Sequence, residues 1–167
     1  MAVPDLSFLK GRETLLVTMV CYGNICRSPM AAAVLHNKVA RIETPKIIVD
    51  SAGTANFHVG EGANPPSQRV WEKAGYQYTH RASQFDYSRL VAADLVLVMD
   101  DHNHHEVSRL VTGDEEERKI FYLRQFDPGS TDSFIVPDPY SLPDSAFEAV
   151  LEMVEKSTDG LIAELLR

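Results

Sequence analysis

Four short apolar runs set the frame for this chain: LLVTMV (15–20), KIIVD (46–50), DLVLVMD (94–100) and KIFYL (119–123). They are almost continuously apolar rather than alternating, which is the pattern of strands covered on both faces. Helical patterns lie between them. PMAAAVLHNKVARI follows the first run, PPSQRVWEKAG and DDHNHHEVSRLVTG each end on a glycine suited to a helix terminus, and PDSAFEAVLEMVEKSTDGLIAELLR closes the chain. Strands alternating with helices imply right-handed crossovers. The expected fold is therefore α/β: three layers, a doubly wound four-stranded parallel sheet with helices on both faces. Two long loops, 51–66 and 124–142, can meet the 21–27 loop at the carboxyl ends of the strands, where such sheets bind ligands.

A length of 167 residues suits one domain, read here as an N-terminal extension (1–13) followed by a single domain (14–167). The net charge of −8 argues against nucleic acid or an anionic membrane surface as the main partner. No apolar run nears the roughly 20 residues needed to span a bilayer. The first residues, MAVPDLSFLKGRE, lack the pattern of a secretory signal. Two cysteines do not make a disulfide framework, so a reducing, cytoplasmic setting is expected.

Both cysteines fall in one loop, VCYGNICRSP. Cys21 ends the first strand, while Ser28 and Pro29 read as the N-cap and first residue of the next helix. The backbone N–H groups of Tyr22, Gly23, Asn24, Ile25, Cys26 and Arg27 are thereby directed into one small space beside a helix N-terminus, a geometry that binds phosphate-like anions. Gly23 and Asn24 can take the positive φ angles such a ring needs. Arg27 adds a two-pronged donor for phosphate oxygens. The same positive field favours the thiolate of Cys21, and a thiolate beneath a bound phosphate is a nucleophile for covalent phosphoryl transfer. Amides and guanidinium neutralise the charge, so neither metal nor other cofactor is called for. Departure of a phenolate then needs a proton donor. Asp127 and Asp138, each followed by proline, both qualify.

These residues resemble the signature of the low-molecular-weight protein tyrosine phosphatases. The likeness continues through VDSAGTANFHVG (49–60), HRASQ (80–84), ADLVLVMD (93–100) and DPY (138–140) in that family's order and spacing. The resemblance implies a compact α/β fold and hydrolysis of phosphotyrosine monoesters in protein substrates through a phosphocysteine. It implies Cys21 as nucleophile, Arg27 as clamp, Ser28 as the hydroxyl steadying the thiolate, and Asn24, Ser51 and His80 as support for the loop. It also tips the choice of general acid to Asp138. Phe57 stands where the family often has tryptophan, and Ser141-Leu142 follow Tyr140 where a second tyrosine or a glycine is common.

Other features admit two readings. Cys26 is either a small filler or a thiol that captures an oxidised Cys21. Phe57 and Tyr140 either wall the substrate ring or merely pack. Ile25, at the middle of the loop, favours an aromatic ring over a charged guanidinium, whereas a threonine there resembles the phosphoarginine-specific branch. DDHNHHE (100–106) offers His102 and Glu106 at metal-ligand spacing, yet reads better as the acidic first turn of a helix. GDEEER (113–118) reads as a solvated turn. The rivals to phosphotyrosine hydrolysis are a phosphoarginine phosphatase, a thiol-relay arsenate reductase, for which no cysteine follows Cys26, and a non-catalytic phosphate-binding module. A monomer or weak homodimer is expected.

Overall fold

The computed structural model describes residues 3–167. Strands β1 (Thr14–Cys21), β2 (Lys46–Gly53), β3 (Leu95–Val98) and β4 (Ile120–Tyr122) form one sheet, all parallel, in the order β2-β1-β3-β4. Helices are α1 (Arg27–Val39), α2 (Pro65–Lys73), α3 (Tyr87–Ala92), α4 (Asp101–Ser108), α5 (Asp114–Glu117) and α6 (Asp144–Leu165). The apolar runs are explained by period-2 alternation with both faces covered. Leu15, Val17 and Met19 of β1 and Leu95 and Leu97 of β3 join a core that holds α1, α2 and α6 residues such as Met30, Trp71, Phe147 and Val154. Val20, Val96 and Val98 point the other way, into a smaller core with Leu90 of α3 and Val107 of α4. The chain winds from β1 to β2 on one side and then to β3 on the other, which makes the carboxyl end of β1 the switch point.

The elements differ from expectation in informative ways. β2 runs on to Gly53, three residues into the segment read as loop. A side chain on Gly53 would meet Tyr22 O at 2.7 Å and Asn24 N at 3.0 Å, so the end of β2 seats directly against the 21–27 loop. β3 stops at Val98, because Asp100 leaves the sheet to cap α4, its carboxylate accepting from Asn103 N. Helix α3 is an addition to the expected elements; Asp86 caps it by accepting from Arg89 N. GDEEER forms a single helical turn, α5, with no buried residue. In the segment before β1, Leu6 and Leu9 pack into the larger core. Among the described residues, no helix is long and apolar enough to cross a membrane.

Candidate active site

The 21–28 segment departs from the expected helix start. Helix α1 begins at Arg27, with Cys26 in the N-cap position and no side-chain cap. Ser28 is therefore inside the first turn, and its hydroxyl is free for other work. It lies 2.9 Å from Cys21 Sγ and accepts from Asn24 Nδ2 at 2.7 Å. The Ser28 hydroxyl thus accepts from Asn24 while keeping its own hydrogen available for the sulfur. Asn24 N–H is the second donor on Sγ, at 3.3 Å. The Ser28 hydroxyl and the Asn24 N–H both contact this one sulfur.

The loop's peptide groups are sorted by direction. The carbonyls of Cys21 and Tyr22 accept from Thr54 N (3.0 Å) and Ala55 N (2.9 Å). Those of Asn24 and Ile25 accept from His80 Nε2 (2.6 Å) and Asn64 N (2.8 Å). The Cys26 carbonyl accepts from Ser67 Oγ at 2.8 Å. A trans peptide sets each N–H opposite the preceding carbonyl. The N–H groups of Tyr22, Gly23, Ile25, Cys26 and Arg27 therefore face away from these anchors, and among the described residues none has a protein acceptor outside helix α1. The outcome is a ring of free donors around Cys21, the nest that oxyanions occupy.

Asn24 holds this shape. It alone in the loop takes a left-handed conformation, φ 58°; Gly23 does not, and a side chain there would press against the His58 ring, 3.2 Å from its Cδ2. Fully buried, Asn24 donates to Ser51 Oγ (3.0 Å) as well as Ser28, and accepts from Ser83 N (3.0 Å). Burial pushes His80 below the ordinary imidazole range, against the opposing pull of its bond to Asn24 O, so it donates as the neutral ring.

Arg27 is 3% exposed. Its Nη1 donates to Asp100 Oδ2 (2.7 Å) and to Val136 O (2.9 Å), while Nη2 stands 3.9 Å from Asp138 Oδ2. Burial alone would pull Arg27 down, but Cys21 and the Asp100 carboxylate together raise it above the usual guanidinium value, so the charge persists. Asp100 escapes a sequence reading because the DDHNHHE pattern reads only as an acidic first turn, whereas one of its oxygens caps α4 by accepting from Asn103 N. The other oxygen reaches Arg27 only because β3 lies beside β1.

The pocket over this ring has a volume of about 230 Å³ and is lined by Cys21, Tyr22, Gly23, Ile25, Cys26, Arg27, His58, Asp138 and Tyr140. Asp138 is half exposed and faces it. Asp127 instead turns its carboxylate back on Gly129 N (2.9 Å), in a turn outside the pocket, and is set aside. Phe57 is corrected too: it is 69% exposed and packs outside the pocket on Tyr22, ring centroids 6.0 Å apart, while the neighbouring His58 supplies the wall. In the DDHNHHE stretch, His104 stacks on Tyr122 at 5.0 Å and His102 leans on Tyr22 at 5.7 Å. Among the described residues no group of three His, Cys, Asp or Glu side chains gathers as metal ligands. Both cysteines are free and buried, and burial, with Cys21 alongside, pushes the Cys26 thiol up to about 12.

Residues 16–167 match the family described as low molecular weight phosphotyrosine protein phosphatase. The chain belongs to that family of hydrolases. A low molecular weight protein-tyrosine-phosphatase from Streptomyces coelicolor is 40% identical over 152 residues, covering 90% of this chain and 93% of the relative. A protein tyrosine phosphatase from Entamoeba histolytica, solved with Hepes in its active site, superposes with a TM-score of 0.84 at 31% identity, over 91% of this chain and 97% of that one. An arginine phosphatase from Geobacillus stearothermophilus superposes with a TM-score of 0.77 at 34% identity, over 91% of this chain and 93% of that one.

Proposed function

We propose that the protein hydrolyses phosphotyrosine monoesters in protein substrates through a phosphocysteine on Cys21. The observation that carries this reading is the sorting of the loop's peptide groups: five carbonyls tied outward and five N–H groups left free around the sulfur. A phosphate dianion fits that ring, with Arg27 as its clamp. Cys21 Sγ attacks phosphorus as the bond to the phenolic oxygen breaks, and Asp138 protonates that oxygen as it leaves. Asp138, now a carboxylate, takes a proton from water as the water attacks phosphorus. The S–P bond breaks, phosphate departs and the thiolate returns. The free thiols suit a reducing, cytoplasmic compartment.

A second reading, hydrolysis of phosphoarginine, draws on the likeness to the arginine phosphatase. Ile25 and Tyr140 in the pocket wall favour the aromatic ester, since a guanidinium pressed against Ile25 would lose water and gain no acceptor from it. The test is kcat/KM on matched phosphotyrosine and phosphoarginine peptides for wild type, Cys21→Ser and Ile25→Thr. Wild type should prefer phosphotyrosine, Cys21→Ser should be inactive though folded, and Ile25→Thr should shift toward phosphoarginine. Wild-type preference for phosphoarginine would overturn the substrate class.

Cys26 is read as the thiol that condenses with a Cys21 sulfenic acid, forming the disulfide and releasing water. Its raised pKa keeps it protonated at neutral pH, so this closure should quicken as pH rises.

A further inference from the structure

Asp138 stands between two prolines, in the sequence Ile135-Val136-Pro137-Asp138-Pro139. Each proline locks its own φ and bars the helical region to the residue before it, so Val136 and Asp138 are both confined to extended backbone. A displacement at Ile135 or Val136 is therefore passed along to the Asp138 carboxylate with little damping. That origin is pinned by three bonds. Val136 N–H donates to Met99 O at 2.7 Å, Arg27 Nη1 donates to Val136 O at 2.9 Å, and Arg124 Nη1 donates to Ile135 O.

The two arginines thus hold consecutive carbonyls, but from different places. Arg27 belongs to the phosphate site. Arg124 comes from the 3₁₀ turn Leu123–Phe126 and lines no part of the pocket. Its Nε is buried without a partner among the described residues, so the guanidinium gives up water there to reach one carbonyl. The preceding residue but one, Tyr122, leans on Phe134 of the same loop as Asp138, ring centroids 6.5 Å apart. This turn is a fixed bracket behind the segment that carries the acid.

We infer that Arg124 is a positioning residue for the general acid: by holding Ile135 O it sets where Asp138 stands over the leaving oxygen, without touching substrate. The inference rests on the reading of Asp138 as the acid. The experiment compares Arg124→Met, which keeps bulk but has no donor, with Arg124→Lys, which restores one, on aryl phosphates with good and poor leaving groups. Dinitrophenyl phosphate releases an anion that needs no proton, whereas phenyl phosphate releases one that does. Arg124→Met should lose about tenfold or more in kcat/KM on phenyl phosphate, with little change on dinitrophenyl phosphate, as expected of a misplaced group. Arg124→Lys should recover part of that loss. In the Asp138→Asn background, Arg124→Met should bring no further selective loss. Pro137→Ala, which loosens the same linkage elsewhere, should reproduce the selectivity, and serves if Arg124→Met does not fold. Equal losses on both substrates would overturn the inference while Asp138→Asn remains selective. An Asp138→Asn enzyme indifferent to the leaving group would instead remove the acid assignment beneath it.

Discussion

In the 21–28 segment the carbonyls and buried polar side chains are tied down inside the protein, leaving five N–H groups free for a ligand, whereas in the 127–142 loop the stretch leading to the Asp138 carboxylate is pinned at two carbonyls and one N–H, and the carboxylate itself stands half in solvent. Cys21, Asn24, Arg27 and Ser28 are all buried; Asn24 takes partners from β2 and the 79–83 stretch, and Arg27 is held by Asp100 and the Val136 carbonyl. Asp138 is held only by an Asx bond from Tyr140 N (3.1 Å) and a distant Arg27. The difference suits the work proposed for each region. A ring that stabilises a dianion must have its dipoles fixed before the substrate arrives, because reorganising them would consume the stabilisation. An acid that protonates one leaving group and then deprotonates water must exchange protons with solvent and move by fractions of an ångström. Substitutions in the first region should therefore damage every substrate, and often the fold. Those in the second should be selective and leave stability intact.

Arg27→Lys should give the largest effect. A point charge cannot hold Asp100 Oδ2, Val136 O and two phosphate oxygens together, so turnover should fall by about 10³-fold or more on good and poor leaving groups alike. Steady-state kinetics on both substrate types would check it; a leaving-group dependence in this variant would blur the division between the regions. Asp138→Asn comes next, losing about 10²–10⁴-fold on poor leaving groups and far less on good ones, at unchanged Tm. Asp127→Asn should be near wild type in activity. A reversal of these two would move the acid.

Asn24→Gly sharpens the contrast from the other side. Glycine tolerates φ 58° but leaves Ser28, Ser51 and Ser83 N–H without their partner, at a cost of about 2–4 kcal/mol in urea unfolding. A loss below about 1 kcal/mol would show the network to be less fixed than its hydrogen bonds imply. The smallest effect concerns pH. His80 is depressed in the folded chain, while the unfolded chain protonates near the ordinary value of about 6.5. Its contribution is fully present above that pH and is lost as pH falls below it, where the unfolded state binds more protons. Unfolding free energies at neutral and mildly acidic pH should show this slope, and His80→Gln should flatten it.

Much of this is legible in the sequence because it depends on local order along the chain. The runs at 15–20 and 46–50 announce covered strands, and strand–Cys–Gly-Asn–Arg–Ser-Pro announces an anion loop through residue order alone. What escapes depends on how segments approach one another. Ser28-Pro29 reads as a helix start, but the Ser28 hydroxyl turns inward to Cys21 Sγ and Asn24 Nδ2, and α1 starts earlier, at Arg27. Asp100 reads as part of an acidic first turn, and turns out both to cap α4 and to anchor Arg27. Phe57 carries the aromatic signal, while the path of the loop gives the wall to His58. Gly160 carries no sequence signal at all, yet a side chain there would stand 1.7 Å from Phe126 O, so α6 must meet the turn that bears Arg124 backbone to backbone.

The central claim, that a fixed ring of donors makes Cys21 the atom that receives the phosphoryl group, is tested most directly by trapping that state. Wild type and Asp138→Asn would be mixed with dinitrophenyl phosphate, quenched in acid within the first turnovers, digested and mapped by mass spectrometry. Asp138→Asn forms the intermediate readily from this leaving group but lacks the base that activates water, so it should accumulate one phosphoryl group on the peptide containing Cys21. Cys21→Ser should accumulate none. Phosphate release with no covalent adduct at any time point, or an adduct on another residue, would contradict the account.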